Sequence, residues 1–238
     1  MDYFLVSAED VHDSTIVVRG DELRHLSRVL RKKVGERILV TDGNDQMFEA
    51  VIRSIHRDEA ECEILHTKLR FNEPKIEVTL AVSLLKNPAR YDFLIEKATE
   101  LGVRRIVPML CERTIPKHEK HERLQKIALA AVKQCGRSYL PKIFMLTSFD
   151  ALVAHAKEYD VSFIPHERIE QSQYIGSVLK HHRAVRSALI LIGPEGGFTE
   201  RELLVASEHG CIPISLGPRR LRSETAAISA VSCVVGGW

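Results

Sequence analysis

Apolar and polar positions alternate in short runs along the first 70 residues. Tyr3–Val6, Thr15–Arg19, Arg37–Thr41, Gln46–Arg53 and Glu59–Thr67 are β-branched or alternating, and each predicts a strand. Asp42-Gly43-Asn44, between two of these runs, predicts a hairpin turn. One stretch changes period. Leu23, Leu26, Val29 and Leu30 share a face at helical spacing, with Asp21 as the expected cap and Gly35 as the expected stop. Residues 1–70 therefore read as a small β-barrel-like domain with one helix.

Phe71-Asn72-Glu73-Pro74 reads as a linker, and a second domain is expected over 75–238. There the pattern becomes strand then helix, repeatedly. Ile76–Leu84 is a near-continuous apolar run, the signature of a buried parallel strand. Asn87-Pro88 supplies a cap and a first-turn proline for a helix that Gly102 stops. Arg105–Leu110, Ile143–Leu146, Val161–Pro165, Ala188–Ile192 and Ile212–Leu216 predict further strands, and Glu119–Cys135 a helix. More helices are expected near Asp150, Glu200 and Glu224, with Thr199 and Glu202 forming a capping box. Such alternation predicts an α/β domain with a mostly parallel sheet.

Composition narrows the class. The chain has 238 residues, 45% hydrophobic and 28% charged, enough for one large or two small domains, and disorder is excluded as its main state. Its longest attractive uncharged run, Thr225 to Trp238, falls short of the roughly 20 residues of a spanning helix. Met1-Asp2-Tyr3-Phe4 lacks the basic start of a secretory leader. Five scattered cysteines form no CxxC pair, which argues against a disulfide framework or a metal site and for a reducing cytoplasm. Net charge is only +2, but residues 1–70 carry net −3 and residues 71–238 net +5. Within the acidic part, Arg19 to Arg37 gathers seven basic residues against three acidic ones. Nucleic acid is thus compatible through patches, without bulk charge demanding it.

The chemistry concentrates in two glycine-rich stretches at expected strand ends. They are Ile192-Gly193-Pro194-Glu195-Gly196-Gly197-Phe198, and Leu216-Gly217-Pro218 continuing through Arg219-Arg220-Leu221-Arg222-Ser223-Glu224-Thr225-Ala226. Ligands of open α/β sheets bind beyond the carboxyl ends of strands. Glycine allows close main-chain approach, and proline stiffens each loop. Either loop alone also fits a plain αβ turn with a helix cap. Two together favour a pocket suited to an adenosine base and ribose. GxxxxGK[ST] and GxGxxG are absent, and no lysine stands in either loop to neutralise phosphates. A methyl donor is thereby favoured over a phosphorylated nucleotide.

GPEGGF followed by LGPRRLRSETAA resembles the C-terminal signature of the bacterial 16S ribosomal RNA uracil-N3 methyltransferases, of the SPOUT superfamily. Three upstream stretches also match, in order. Glu96-Lys97-Ala98-Thr99-Glu100-Leu101-Gly102-Val103 is similar to the family's KxxELGV helix, and Gln134-Cys135-Gly136-Arg137 with Pro141 to its QxxR…P element. His25-Leu26-Ser27-Arg28-Val29-Leu30-Arg31 is similar to a helix of its PUA-like N-terminal domain. The resemblance implies a PUA-like β-barrel, then an α/β domain tied in a deep trefoil knot. It implies S-adenosylmethionine in the knot and a homodimer whose pockets the partner completes. It also implies 16S RNA of the small ribosomal subunit as the substrate.

Donor-binding residues are then expected in both loops: Ile192, Gly193, Gly196 and Gly197 in the first, Leu216, Gly217 and Leu221 in the second. Arg222, Ser223, Glu224, Thr225 and Ala226 complete that set, with Arg222 and Glu224 as candidate catalytic groups. Glu195 and Glu224 fit helix capping equally well. Arg24, Arg28 and Arg31 recur at i, i+4, i+7, as a solvated face or a phosphate-binding one. Lys86, Arg90, Lys97, Arg113 and Gln134 are further RNA candidates, and Arg137 is the leading one. The final helix is apolar on several sides, at Ala227, Ile228, Val231 and Val235 among others, which fits a subunit interface or a central helix.

The expected reaction is methyl transfer from S-adenosylmethionine to N3 of an unpaired or flipped uridine. Two alternatives stay open: a non-catalytic RNA-binding ribosome assembly factor with the same fold, and an α/β enzyme acting on a small nucleotide. Donor binding without transfer to any RNA marks the first. Strong salt dependence of RNA binding weighs against the second.

Overall fold

The computed structural model describes residues 2–166, 174–182 and 184–236; Gly237 and Trp238, which close the long uncharged run, lie outside them. The chain divides into two compact units. One is Met1–Glu73 with Val132–Leu140, the other Pro74–Ala131 with Pro141–Trp238.

The first unit contains β1 (Tyr3–Leu5), β2 (Thr15–Arg19), α1 (Gly20–Arg24), β3 (Arg37–Thr41), β4 (Gln46–Ile55) and β5 (Glu59–Leu69). The strands form a half-barrel in the order β1-β3-β4-β5-β2, antiparallel except for β1 against β3. Inward positions supply the core: Phe4, Ile16, Val18, Ile38, Val40 and Ile52 are all fully buried. Arg19, in extended backbone with no capping side chain, occupies the position before α1, so Asp21 sits in its first turn and is not its cap. After Arg24 the helix widens into a π turn, His25–Val29, in which the Leu30 N–H donates to the His25 carbonyl at 2.9 Å. That turn holds more residues than an α turn. Val29 is therefore rotated off the apolar face and is 66% exposed, while Leu26 stays fully buried. The helix ends where Arg31 takes φ +52°, well before Gly35.

Residues 132–140 belong to this unit through specific bonds. Asn44 and Tyr139 form an antiparallel bridge, and the Thr41 hydroxyl donates to the Ser138 carbonyl at 3.0 Å. Arg137 and Glu73 form a two-pronged ion pair, Nε to Oε1 at 3.1 Å and Nη2 to Oε2 at 2.6 Å, with each side chain only 2% exposed. The Tyr139 N–H donates to the same Glu73 Oε1 at 3.1 Å.

The second unit is wound as strand and helix in turn. Its first elements are β6 (Glu77–Ser83), α2 (Pro88–Glu100), β7 (Arg105–Leu110), α3 (His121–Cys135), β8 (Lys142–Ile143), β9 (Thr147–Ser148) and α4 (Phe149–Val153). The last turn of α3 groups with the first unit. Then come β10 (Val161–Pro165), α5 (Ile175–His181), β11 (Ser187–Ile192), α6 (Glu200–Glu208), β12 (Ile212–Ile214) and α7 (Ser223–Val235). The sheet runs β12-β10-β11-β6-β7-β8 with β9 also on β7, and every pairing is parallel. Central β6 and β11 are covered on both faces, which is why their sequences read as near-continuous apolar runs.

The Asn87 side chain accepts from the Ala89 N–H to start α2, Gly102 follows it with φ +94°, and Thr199 and Glu202 make the capping box of α6. The expected strand over 143–146 splits into β8 and β9, leaving Phe144 and Met145 exposed between them. The sequence reading contains no helix at α5. Helix α7 packs on α2, α5, β6 and β11; it buries Ala227, Ala230, Val231 and Val234 and half-covers Ile228 and Val235.

Candidate active site

Strands β10, β11 and β12 end side by side at their carboxyl ends, and a cavity of about 420 Å³ opens there, entirely within the second unit. Both glycine-rich loops line it. Ile192, Gly193, Gly196 and Gly197 come from the loop after β11; Leu216, Gly217, Leu221, Arg222, Ser223 and Ala226 come from the stretch after β12. Of the donor-binding candidates, only Glu224 and Thr225 are absent from this wall. Pro165 and His166, at the end of β10, also line it and were not anticipated. Their signal was positional, since they end a strand paired between β11 and β12.

The loops have definite physical reasons for their glycines. A Cβ on Gly193 would lie 3.2 Å from the Phe198 ring, a tight contact, so a side chain there would press that ring out of place by a few tenths of an ångström. Gly217 holds φ +108°, a conformation that side chains rarely adopt, and among the described residues no atom lies within 4 Å of where its Cβ would stand. The cavity thus meets bare main chain there. Such a wall suits a base and ribose read by backbone groups at close range.

Polar bonds knit the loop after β11 to its neighbours. Glu195 does not cap a helix: its Oε1 accepts from the Lys86 N–H at 2.9 Å, and α6 is capped by Thr199. Glu202, 1% exposed, accepts from Glu112 N–H at 2.9 Å and from Thr199 N–H at 2.8 Å. Arg113 donates to the carbonyls of Gly196 at 2.8 Å and Phe198 at 3.4 Å. A Cβ on Gly196 would stand 3.3 Å from the Arg113 side chain, so a branched residue there would strike Arg113 as well as any ligand.

The RNA candidates are dispersed. Arg90 and Arg113 line the cavity, beside Arg219 and Arg220. Lys86 is exposed beyond β6. Lys97 bonds Glu100 and Glu96 and lies over the Phe93 ring; those two carboxylates hold it above the usual lysine range. Arg24 is exposed and paired with Asp21, and Arg28, Arg31 and Gln134 are exposed. Arg31, with φ +52°, lies past the helix end, so the regular arginine stripe breaks there. Arg137 offers no surface for phosphate, because it is buried against Glu73.

Glu224 is 8% exposed and lies 3.7 Å from Arg90, so the cap of α7 is not its role: Arg222 holds the cap position without a capping bond from its side chain. Thiolate chemistry has no support in the cores. Burial pushes Cys111 up to about 12 and Cys62 and Cys211 up to about 11.

A β-rich unit followed in sequence by an α/β unit with such a cavity fits one class, the RNA methyltransferases with a PUA domain, and the family matches show it. The family described as "RNA methyltransferase domain" matches residues 72–235, and the "RNA methyltransferase PUA domain" matches 18–65. Ribosomal RNA small subunit methyltransferase E from Synechocystis sp. is 32% identical, covering 96% of this chain and 75% of the relative. The Bacillus subtilis enzyme of the same name is 28% identical over 92% and 89%. The crystal structure of the Neisseria gonorrhoeae enzyme of that name, bound to S-adenosyl methionine, superposes with a TM-score of 0.87. It is 30% identical and the match covers 100% and 98% of the two chains. The chain described here belongs to this family of ribosomal RNA small subunit methyltransferases.

Proposed function

We propose that this chain transfers a methyl group from S-adenosylmethionine to N3 of a uridine in 16S ribosomal RNA of the small subunit. One observation carries the reading. The cavity at the ends of β10, β11 and β12 is walled by the same two loops that the resemblance assigns to the donor. The likeness to the donor-bound Neisseria gonorrhoeae structure, running the whole length of the chain, supports it.

When bound, S-adenosylmethionine supplies an electrophilic methyl carbon. The chain's own residues do the rest. Main chain at Gly193, Gly196 and Gly217 receives the base and ribose, and the Phe198 ring packed beneath Gly193 excludes water from that side. Arg113 keeps the first loop in shape by holding two of its carbonyls. Ser223 and Ala226, in the first turn of α7, close the wall. Arg222 is exposed on the wall, where a guanidinium meets an incoming polyanion. The elements from β11 to α7 form the knotted part in this reading. Exposed Arg24 and Arg28 bind phosphates of the RNA.

The homodimer is part of the proposal, with the half-covered Ile228 and Val235 of α7 in its interface, as is action in the cytoplasm, where ribosomal RNA is the substrate. Incubating the protein and labelled donor with under-modified small subunits, then mapping the methylated nucleoside, tests the reaction. Label at uridine N3 supports it. Stoichiometric donor binding without any label on RNA would favour the assembly factor instead. Light scattering tests the dimer: the expected mass is twice the 26.9 kDa of one chain.

A further inference from the structure

Helix α2 carries a charge that its own geometry disfavours. The first turn of a helix is positive, favouring carboxylates and opposing cations. The first turn of α2 has no acidic residue, yet Arg90 stands there as its third residue and lines the cavity. The compensation comes from the first turn of α7, where Glu224 places Oε1 3.7 Å from Arg90 Nε. The carboxylate side chain is 11% exposed and the guanidinium 39%. At 3.7 Å the contact is electrostatic and exceeds hydrogen-bond length. It draws the guanidinium toward the carboxylate without consuming its donors. The other wall arginines are placed differently: Arg113 is engaged with two carbonyls, and Arg219, Arg220 and Arg222 are exposed loop residues. A local rule broken at a cavity, with a buried group supporting it, marks a functional placement.

We propose that Arg90 stabilises the negative charge of the target uracil during transfer, and that Glu224 is the positioning residue that holds Arg90. This rests on the uridine N3 reading above. The N3–H proton leaves to water, and its electron pair spreads over N3, O2 and O4. The N3–carbon bond forms as the bond from the methyl carbon to sulfur breaks, and sulfur keeps that electron pair. A guanidinium offers donors and no acceptor, so Arg90 acts as a donor to O2 or O4 and never as the base. Stabilising an oxygen where charge develops is the strongest use of a preorganised donor.

The experiment compares wild type, Arg90→Ala, Arg90→Lys and Glu224→Gln. Single-turnover methylation is measured on under-modified small subunits, and on subunits whose RNA carries 5-fluorouridine, with its more acidic N3–H. Donor affinity is read by calorimetry and folding by thermal melting. Arg90→Ala is expected to slow transfer about 10²–10³-fold, with donor affinity nearly unchanged. On the fluorinated RNA that deficit should shrink at least about tenfold, because the anion then needs less help. Arg90→Lys, which keeps the charge but loses the planar fork, should fall between wild type and Arg90→Ala. Glu224→Gln should cost less than Arg90→Ala, and the double variant should be no slower than Arg90→Ala. Equal deficits on both RNAs, or a loss of donor affinity as large as the loss of rate, would overturn the role of Arg90. A fold-wide loss of melting temperature in Arg90→Lys would leave the pair a mere strut between α2 and α7 and overturn it too. If wild type itself places no methyl on N3, the proposed function fails and this inference fails with it; wild-type activity with indifferent variants sinks the inference alone.

Discussion

Two arginine–carboxylate pairs, one in each unit, use the same chemistry for opposite ends. In the first unit Arg137 and Glu73 are each 2% exposed and joined by two short bonds, and Glu73 also accepts from the Tyr139 N–H. In the second, Arg90 and Glu224 are 39% and 11% exposed and meet at 3.7 Å. The first guanidinium is enclosed with its partner, so its charge is spent on the fold. The second keeps part of its surface on a cavity, so its charge remains available to a ligand. Burial and bond length separate the two pairs; residue type does not.

The largest effect should come from breaking the buried pair. Arg137→Ala or Glu73→Ala leaves an uncompensated buried charge and should cost about 3–5 kcal/mol, seen in denaturant unfolding. The slope of RNA affinity against salt should not move if the folded fraction is held equal. A stable Arg137→Ala protein with that slope lowered by about one would reverse the contrast and restore Arg137 as a phosphate contact.

The next largest should come from the main chain of the cavity. Gly217→Ala forces a side chain into φ +108°, a strain of about 1–3 kcal/mol. Expressed in the loop alone, this is roughly a tenfold or greater loss of donor affinity by calorimetry, with little change in the unfolding of the β-rich unit. Wild-type affinity would put the donor elsewhere.

Arg113→Ala removes two donors from the first loop. Because Arg113 is exposed, the expected loss of donor affinity is only several-fold. Arg113→Lys should recover part of it, since an ammonium can still reach one carbonyl. An unchanged affinity would show that the loop keeps its shape through Glu195 and Glu202 alone.

The smallest effect should come from Arg24, whose exposed pair with Asp21 adds little to stability. Arg24→Ala should leave the melting temperature unchanged and lower the salt slope of RNA binding by about one. That outcome would make the solvated Arg24, and not the buried Arg137, a phosphate contact.

Much of this was legible in the chain. β-Branched alternation located β2 and β3, near-continuous apolar runs located β6 and β11, and Asn87-Pro88 and Thr199 with Glu202 located the starts of α2 and α6. The cavity loops were equally legible, because glycine and proline act on their own backbone. Other features were not. The π turn after α1 breaks the 3.6-residue period on which the expected face of Val29 depended. Helix α5 is short, and its sequence lacks a clear cap or period.

The sequence by itself determined the class of most segments, the two glycine-rich loops and their place at strand ends, since these follow from interactions within a few residues. Only the tertiary structure decided what each charge does. Arg137 finds its carboxylate 64 residues away in sequence, and Arg90 finds its own in the final helix. Arg113, after β7, bonds carbonyls of the loop after β11, 83 and 85 residues on. A side chain's exposure and partner are set by which distant segments the sheet order brings together, and electrostatic energy depends on that separation and on the local dielectric.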